Sequence, residues 1–163
     1  MLTKNFYSYM RAVLQNVSAD FALTSGGTQL ITISGTRAPF AVMNIWAIQY
    51  NTYGVSFGTG TTPATMSDYR LENMLGETQI NVSVQSAVSY SRADTYDEYS
   101  ATFGITNKTA EAITISEVGL TTMPNSSYYA LVDHTVLETP ITIPAGQSKQ
   151  ITYTIRFNYG DAV

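Results

Sequence analysis

The feature that most constrains the fold is the regular alternation of apolar and polar residues in the second half of the chain. It is clearest near the end, where Ile151, Tyr153, Ile155, Phe157 and Tyr159 alternate with polar residues. Successive side chains of a strand point to opposite faces, so such a segment has one face on a core and the other toward solvent. Antiparallel sheets commonly have this arrangement, and the pattern therefore predicts an antiparallel β protein.

Other segments predict further strands. The same alternation occurs in residues 80–91 and 99–106, and residues 28–34 form a short candidate strand between glycines. Residues 40–50 are apolar in both phases, which suits either a strand covered on both faces or a short buried helix. Roughly seven or eight short strands joined by turns predict an all-β fold, an antiparallel two-sheet sandwich of Ig-like or jelly-roll type.

Two details indicate how the strands pair. In residues 112–122 the apolar phase slips across Ser116 and Glu117, and a β-bulge there would return both apolar sets to one face. Residues 140–146 contain two prolines and end in Pro-Ala-Gly. Because proline cannot donate to a β-ladder, this segment is predicted to be an edge strand with a tight connection into residues 148–159, forming a final hairpin.

The N-terminal segment differs from the rest. Between residues 4 and 17 apolar side chains recur at helical spacing, which predicts a short amphipathic helix. A helix this short needs a partner surface, which is either its own domain or a neighbouring subunit. We therefore divide the chain into a helical arm, residues 1–20, and a β-sandwich domain, residues 21–163. The helix residues predicted to lie at an interface are Phe6, Tyr9, Met10 and Val13.

Composition argues against several classes of function. The charged fraction is only 12%, the net charge is −4 and the eight basic residues are scattered, so nucleic acid is not an expected partner. The chain has no cysteine and one histidine, which removes thiolate chemistry and a multi-histidine metal site. No apolar run is long enough to span a bilayer, and the N-terminal residues lack the pattern of a signal peptide.

Three polar motifs contain residue types that could carry chemistry. The loop from Gly58 to Glu72 begins Gly-Thr-Gly-Thr-Thr-Pro but lacks the lysine of a phosphate-binding loop. An ordered crossover is the better interpretation, in which Thr hydroxyls satisfy their own backbone, Pro63 fixes its φ, and Ser67 or Asp68 caps a short turn.

The other two motifs are acidic. Asp94, Asp97 and Glu98 form either a solvated hairpin tip or a calcium or subunit-bridging site, and their spacing matches no EF-hand. Asp133 and His134 are adjacent, so in a strand they point to opposite faces and do not supply a catalytic triad. We therefore expect no enzyme activity, no metal and no cofactor.

Tyrosine is in excess, with twelve in the chain. Tyr53 precedes the Gly58 loop, and one of the consecutive pair Tyr128 and Tyr129 has to face outward if they lie in a strand. Tyrosine is favoured at protein interfaces because it combines apolar area with a hydrogen-bonding tip. It also stacks on sugar rings, so subunit contact and glycan binding both fit these three residues.

Three stretches together carry a resemblance: the Gly58 loop through residue 72, then residues 113–120, then residues 136–146 with the alternating strand after them. Across residues 54–159 the chain resembles small β-rich virion structural proteins of tailed bacteriophages, which occur as capsid-decorating, neck, tail or fibre components. The resemblance brings no catalytic residues with it.

This resemblance implies a non-enzymatic virion protein that is assembled in the host bacterial cytoplasm. Its partners would be further copies of itself and other virion proteins such as capsid or tail subunits, with the helix contributing to docking. A tail-fibre or receptor- and glycan-binding module is the alternative.

Overall fold

A computed structural model describes residues 1–15, 18–32, 54–85, 89–93, 95–125 and 127–158. Over these residues the protein consists of antiparallel strands and one short N-terminal helix, α1 (Lys4–Gln15). The strands are β1 (Ser18–Ala22), β2 (Thr28–Thr32), β3 (Gly54–Gly58), β4 (Ile80–Val84), β5 (Ser89–Ala93), β6 (Tyr96–Asn107), β7 (Ile113–Asn125), β8 (Tyr128–Ile143) and β9 (Ser148–Asn158). No helix in this part of the chain is long and apolar enough to cross a membrane.

Strands β3 to β9 form two antiparallel sheets with a common core. The β7 sheet has the order β3-β7-β8; in the β6 sheet, β9 lies along one side of β6, and β4 and β5 lie along the other. Phe57 of the β7 sheet meets Phe103 of the β6 sheet edge to face, with ring centroids 5.9 Å apart. Because apolar residues of both sheets belong to one buried cluster, the structure has the predicted sandwich-like architecture.

The pairing of β7 with β8 is irregular at the position where the apolar pattern predicts a bulge. The register shifts between Ile115 and Glu117, and Ile115, Val118 and Leu120 are all buried in the common core. From the pair Ile115–Ile141 to the pair Glu117–Val136, β7 advances two residues and β8 advances five, so the ladder is interrupted here. The apolar residues of β7 on both sides of the interruption reach the same core. Glu117 and Gly119 alternate with Val118 and Leu120, so Glu117 lies on the outer face of the β7 sheet.

The turn at residues 144–146 connects two sheets and does not close a hairpin. β8 pairs with β7 and β9 pairs with β6, so the predicted final hairpin is wrong. The Gln147 N–H donates to the Pro144 carbonyl at 3.0 Å, and Gly146 has a φ of +68°, as a type II turn requires. The apolar sides of β8 and β9 face each other across the core, which is why the chain crosses here. Residues 140–143 have the predicted edge position among the described strands, because β8 is the outer strand in the order β3-β7-β8.

Helix α1 packs against the protein's own strands. It encloses a second, smaller cluster with the β1-β2 hairpin and the start of β8. The members of this cluster include Tyr9, Ala12, Phe21, Ile31 and Ala130. Phe6 joins the main core and stacks on Phe157, with centroids 5.9 Å apart. Of the two interpretations of the helix, docking onto its own domain is the one observed.

Some predicted strands fall partly or wholly outside the described residues. The segment at residues 40–50 lies outside them entirely. The segment at residues 28–34 is observed as β2 up to Thr32. The alternating segment at residues 80–91 is observed as β4 and the first part of β5, with residues 86–88 between them outside the description.

Candidate functional site

The candidate site lies on the outer face of the β7 sheet, under the loop of residues 58–76, and its centre is Glu117. The Glu117 side chain is fully buried. Its Oε1 accepts the backbone N–H of Gly60 at 3.0 Å and of Asn73 at 2.7 Å. Its Oε2 accepts the backbone N–H of Glu72 at 2.9 Å. The glycine-containing loop is thus wrapped around a carboxylate of the protein itself.

His134 on β8 links Glu117 to Asp68 in the loop. Its Nε2 lies 3.1 Å from Glu117 Oε2, and its Nδ1 lies 2.6 Å from Asp68 Oδ2. Both ring nitrogens face carboxylate oxygens, and only the imidazolium form donates from both nitrogens. The hydrogen bond with Glu117, helped by Asp68, raises the pKa of His134 against the opposing effect of burial. His134 is therefore a cation held between two anions.

The carboxyl groups of Glu117 on β7 and of Asp68 and Glu72 in the loop are held in their ionised form. Burial acts to raise the pKa of Glu117, but the hydrogen bonds from His134 and the backbone N–H groups outweigh it, so the pKa is lowered. Burial also acts to raise the pKa of Asp68. The hydrogen bonds from the hydroxyl and N–H of Thr65 and from His134 outweigh this effect, so the pKa is lowered. The pKa of Glu72 is lowered mainly by the backbone N–H and hydroxyl of Thr62.

The loop glycines allow the backbone to approach Glu117 closely. A Cβ atom on Gly60 would lie 2.7 Å from Glu117 Oε1 and 2.6 Å from Glu72 Cβ. The ordered-crossover interpretation of this loop agrees with the structure, and Asp68 holds a turn by accepting the N–H of Thr65 at 2.8 Å. The Thr65 hydroxyl accepts the backbone N–H of Ser67 at 3.3 Å, as expected for a threonine of this loop. In addition, the hydroxyls of Thr62 and Thr65 donate to the carboxylates of Glu72 and Asp68.

The arrangement does not have the layout of a nucleophilic triad. A triad places the imidazole between a nucleophile and an acid, whereas His134 lies between two acids. Asp133 points elsewhere, as expected for its neighbour in a strand, and its Oδ2 accepts the Tyr153 hydroxyl at 2.9 Å. Within the described residues no group of three His, Asp or Glu side chains could hold a metal ion.

The acidic residues of the β5-β6 hairpin pair with arginines. Asp97 lies 2.8 Å from Arg92 Nε, and Glu98 lies 2.6 Å from Arg156 Nη2. Because Asp97 and Glu98 are adjacent in β6, their side chains point to opposite faces and do not converge on one ion. Asp94 lies outside the described residues. The observed hairpin agrees with the hairpin-tip interpretation.

The predicted interface residues of the helix mostly lie inside the protein. Phe6 is 7% exposed and Tyr9 is 0% exposed, so these two side chains belong to the core and offer no surface to a neighbour. The physical reason is that the β1-β2 hairpin and the start of β8 already cover the apolar side of α1. Met10 is partly buried against both clusters. The Val13 side chain lies outside the described part of the chain.

The predicted tyrosines have three different outcomes. Tyr128 is half-buried and packs on the smaller cluster. Tyr129 is half-buried and lines a cleft of about 520 Å³ between the loop and the β1-β2 turn. Tyr53 lies outside the described residues.

The charge network of Asp68, Glu117 and His134 is the part of the site that sequence reasoning missed. The glycines at 58 and 60 marked the loop as special, but no local pattern connected it to Glu117 on a distant strand. Comparison with known proteins finds no family model, no curated protein and no solved structure that matches this chain. The protein is therefore classed by its fold alone, as an all-β, sandwich-like protein with a loop that is centred on a buried carboxylate of one sheet.

Proposed function

We propose that the protein is a non-enzymatic structural component of a bacteriophage virion, associated with the capsid or tail. It acts by contact between its own copies and with neighbouring virion subunits. The proposal combines the resemblance over residues 54–159 with one structural observation, the hydroxyl-covered outer face of the β6 sheet.

Three cross-strand pairs of hydroxyl groups cover this face. Ser100 and Thr154 lie 2.9 Å apart, Thr102 and Thr152 lie 3.0 Å apart, and Thr106 and Ser148 lie 2.7 Å apart. Each short side chain is held by a partner on the next strand, so it has little conformational freedom left to lose on binding.

Among the described residues of this face, charge is confined to one end. Arg156 binds Glu98 there with its Nε and Nη2 atoms at 2.9 and 2.6 Å, and its guanidinium lies 4.2 Å from the centre of the Tyr96 ring. The cores of protein interfaces are depleted in charged residues, which matches an uncharged hydroxyl face with a charged end. Many copies on a lattice would need only modest affinity for each contact.

The self-association part of the proposal is tested by sedimentation velocity at increasing protein concentration. Wild type should form a defined oligomer, and Thr152→Lys should weaken association about tenfold or more, because it places an unpaired charge in the contact. The matched control is Thr142→Lys, whose hydroxyl pairs with that of Thr114 at 3.0 Å on the outer face of the other sheet. A wild type that stays monomeric at every concentration contradicts homo-oligomer formation.

The virion part is tested separately by mass spectrometry of purified phage particles from cells that carry the gene. The protein should be present in many copies per particle and remain after gradient purification. Its absence from the particles would overturn the proposed location.

A further inference from the structure

We propose that the cleft beside Tyr129 is a binding site for a neutral mono- or disaccharide. The cleft has a volume of about 520 Å³, within the range of small-ligand pockets, which is about 300–1,000 Å³. Ser56 and Thr121 contribute from the β7 sheet, Arg70 and Asn73 from the loop, and Tyr129 from β8.

The lining has the mixture of groups that a sugar requires. A sugar hydroxyl both donates and accepts, and the serine, threonine and asparagine side chains of the cleft do the same. Arg70 forms no ion pair in the described part of the chain, so its guanidinium donors are available to a ligand. The half-exposed Tyr129 ring supplies an apolar surface for the carbon-bound hydrogens of a sugar ring.

The balance of charge favours a neutral ligand over an anion. Among the described residues that line the cleft, Arg70 and Glu72 are the charged ones, and their charges are opposite. A phosphate or carboxylate ligand would be attracted by the charge of Arg70 and repelled by the charge of Glu72. A sugar hydroxyl can accept a hydrogen bond from the Arg70 guanidinium and donate one to the Glu72 carboxylate. The Oε1 atom of Glu72 accepts one described hydrogen bond, from the Thr62 hydroxyl.

Both sides of the cleft are fixed before a ligand arrives. Glu117 holds the N–H groups of Glu72 and Asn73, which form part of the loop wall. On the other side, the Thr24 N–H donates to the Tyr129 carbonyl at 3.0 Å and ties the β1-β2 turn to β8. A preformed site avoids much of the ordering cost of binding, which matters for a small polar ligand. This gives the Glu117 network a role beyond stability, as the support of one wall.

The test is titration of the ¹⁵N-labelled full chain with glucose, galactose, mannose and N-acetylglucosamine at millimolar concentrations, followed by NMR. At least one sugar should shift the amide resonances of residues 24–25, 70–74 and 129 together. Arg70→Gln and Tyr129→Ala should each weaken binding about tenfold or more. Arg11→Gln, which removes an exposed arginine that does not line the cleft, should leave binding unchanged.

A second variant covers the case in which Tyr129→Ala does not fold. Ser25→Trp fills the mouth of the cleft from an exposed turn residue and should abolish the shifts. Absence of any shift with all four sugars, shifts confined to another surface, or an equal response to inorganic phosphate would each overturn the saccharide proposal. None of these results bears on self-association or on presence in particles, so the two proposals fail independently.

Discussion

At the residue scale, Glu117 is the side chain on which the loop of residues 58–76 depends. One carboxylate receives three backbone N–H groups and an imidazolium, all from segments distant from it in sequence. Hydrogen bonds to charged groups contribute about 1.5–3 kcal/mol each, more than neutral ones. Besides these bonds, the loop is held by the contact of Asp68 with His134 and by the buried side chains of Leu71 and Leu75.

Glu117→Gln should lower the free energy of unfolding by about 2–4 kcal/mol, because it leaves His134 without its buried anion and turns an amide donor toward N–H groups. Urea denaturation measures the change. Glu138→Gln is the control, since Glu138 is an exposed glutamate on β8 and should change the free energy by less than about 0.5 kcal/mol. Equal effects of the two variants would contradict a special role for Glu117.

Gly60→Ala tests whether the loop glycine is required for close approach. The added methyl group meets Glu117 Oε1 and Glu72 Cβ at under 3 Å, so we expect a loss of about 1–3 kcal/mol in the free energy of unfolding. Gly76→Ala in the same loop meets a single atom, Gln79 Oε1 at 3.9 Å, and serves as the matched control. The hypothesis predicts that thermal unfolding shifts downward for Gly60→Ala and little for Gly76→Ala.

The charge network predicts a stability maximum in mildly acidic solution. The pKa of His134 is raised on folding, so its contribution is complete below its unfolded value of about 6.5 and is lost as the pH rises through the folded pKa. The pKa values of Asp68 and Glu117 are lowered, so their contribution is present above about pH 4.5 and is lost as the pH falls through the folded values. The maximum should lie between these limits.

Urea midpoints measured from pH 4 to pH 9 in wild type and His134→Gln would check this. Wild type should lose stability on the alkaline side, and the variant should lack that part of the loss. His134 is the only histidine of the chain, and other groups titrate in both proteins, so the difference between the profiles belongs to it. Parallel profiles above pH 6.5 would show that His134 is not held as a cation.

At the element scale, two crossings between the sheets share one residue, Asn107. One crossing connects β6 to β7 and the other connects β8 to β9. The Asn107 Nδ2 donates to the carbonyls of Glu111 at 2.7 Å and Ile143 at 2.9 Å. Its backbone carbonyl accepts the Gly146 N–H at 3.1 Å, and its Oδ1 accepts the Thr109 N–H at 2.8 Å. A single buried amide therefore fixes both connections at this end of the sandwich.

Asn107→Ala should cost about 2–4 kcal/mol of the free energy of unfolding, since it leaves buried carbonyl and N–H groups without partners. Hydrogen exchange should show the first loss of protection at residues 107–113 and 143–147. Asn81→Ala, an exposed asparagine on β4, controls for the substitution itself. Stability equal to that control would mean that the turns hold without the buried amide.

At the scale of the whole molecule, the helix and the sandwich share core residues. Phe6 of α1 belongs to the main cluster that both sheets form, and Tyr9 belongs to the smaller cluster with the β1-β2 hairpin. A movable docking arm would have kept this apolar side exposed. Removing residues 1–19 should therefore destabilise the sandwich as well as remove the helix.

Phe6→Ala should lower the free energy of unfolding by about 3–4 kcal/mol, and circular dichroism and amide exchange should report one coincident transition for helix and strands. Tyr7→Ala, at an adjacent position that is 53% exposed, should cost less than about 1 kcal/mol. Loss of helix protection with unchanged strand stability would restore the picture of an independent arm.

The strands could be predicted from the sequence because alternation is a local property. β9, the register slip in β7 and the edge position of residues 140–143 all follow from the order of apolar, polar and proline residues over a few positions. The amphipathic helix followed from spacing in the same way. The surface that covers the apolar side of α1 could not be predicted in this way. The same apolar spacing fits packing on the protein's own domain or on a neighbouring subunit, and the observed partners lie on β1, β2 and β8.

The sequence by itself determined that segments such as β6 and β9 extend, that the N-terminal residues form a helix and which side of each faces a core, since neighbouring side chains and backbone stereochemistry decide these locally. The tertiary structure decided that the chain crosses from β8 to β9 in the other sheet and that Glu117, His134 and Asp68 meet. It also decided that Tyr129 lines a cleft. Such contacts join residues far apart in the chain, and their strength comes from burial and hydrogen bonding that exist only after the segments have packed.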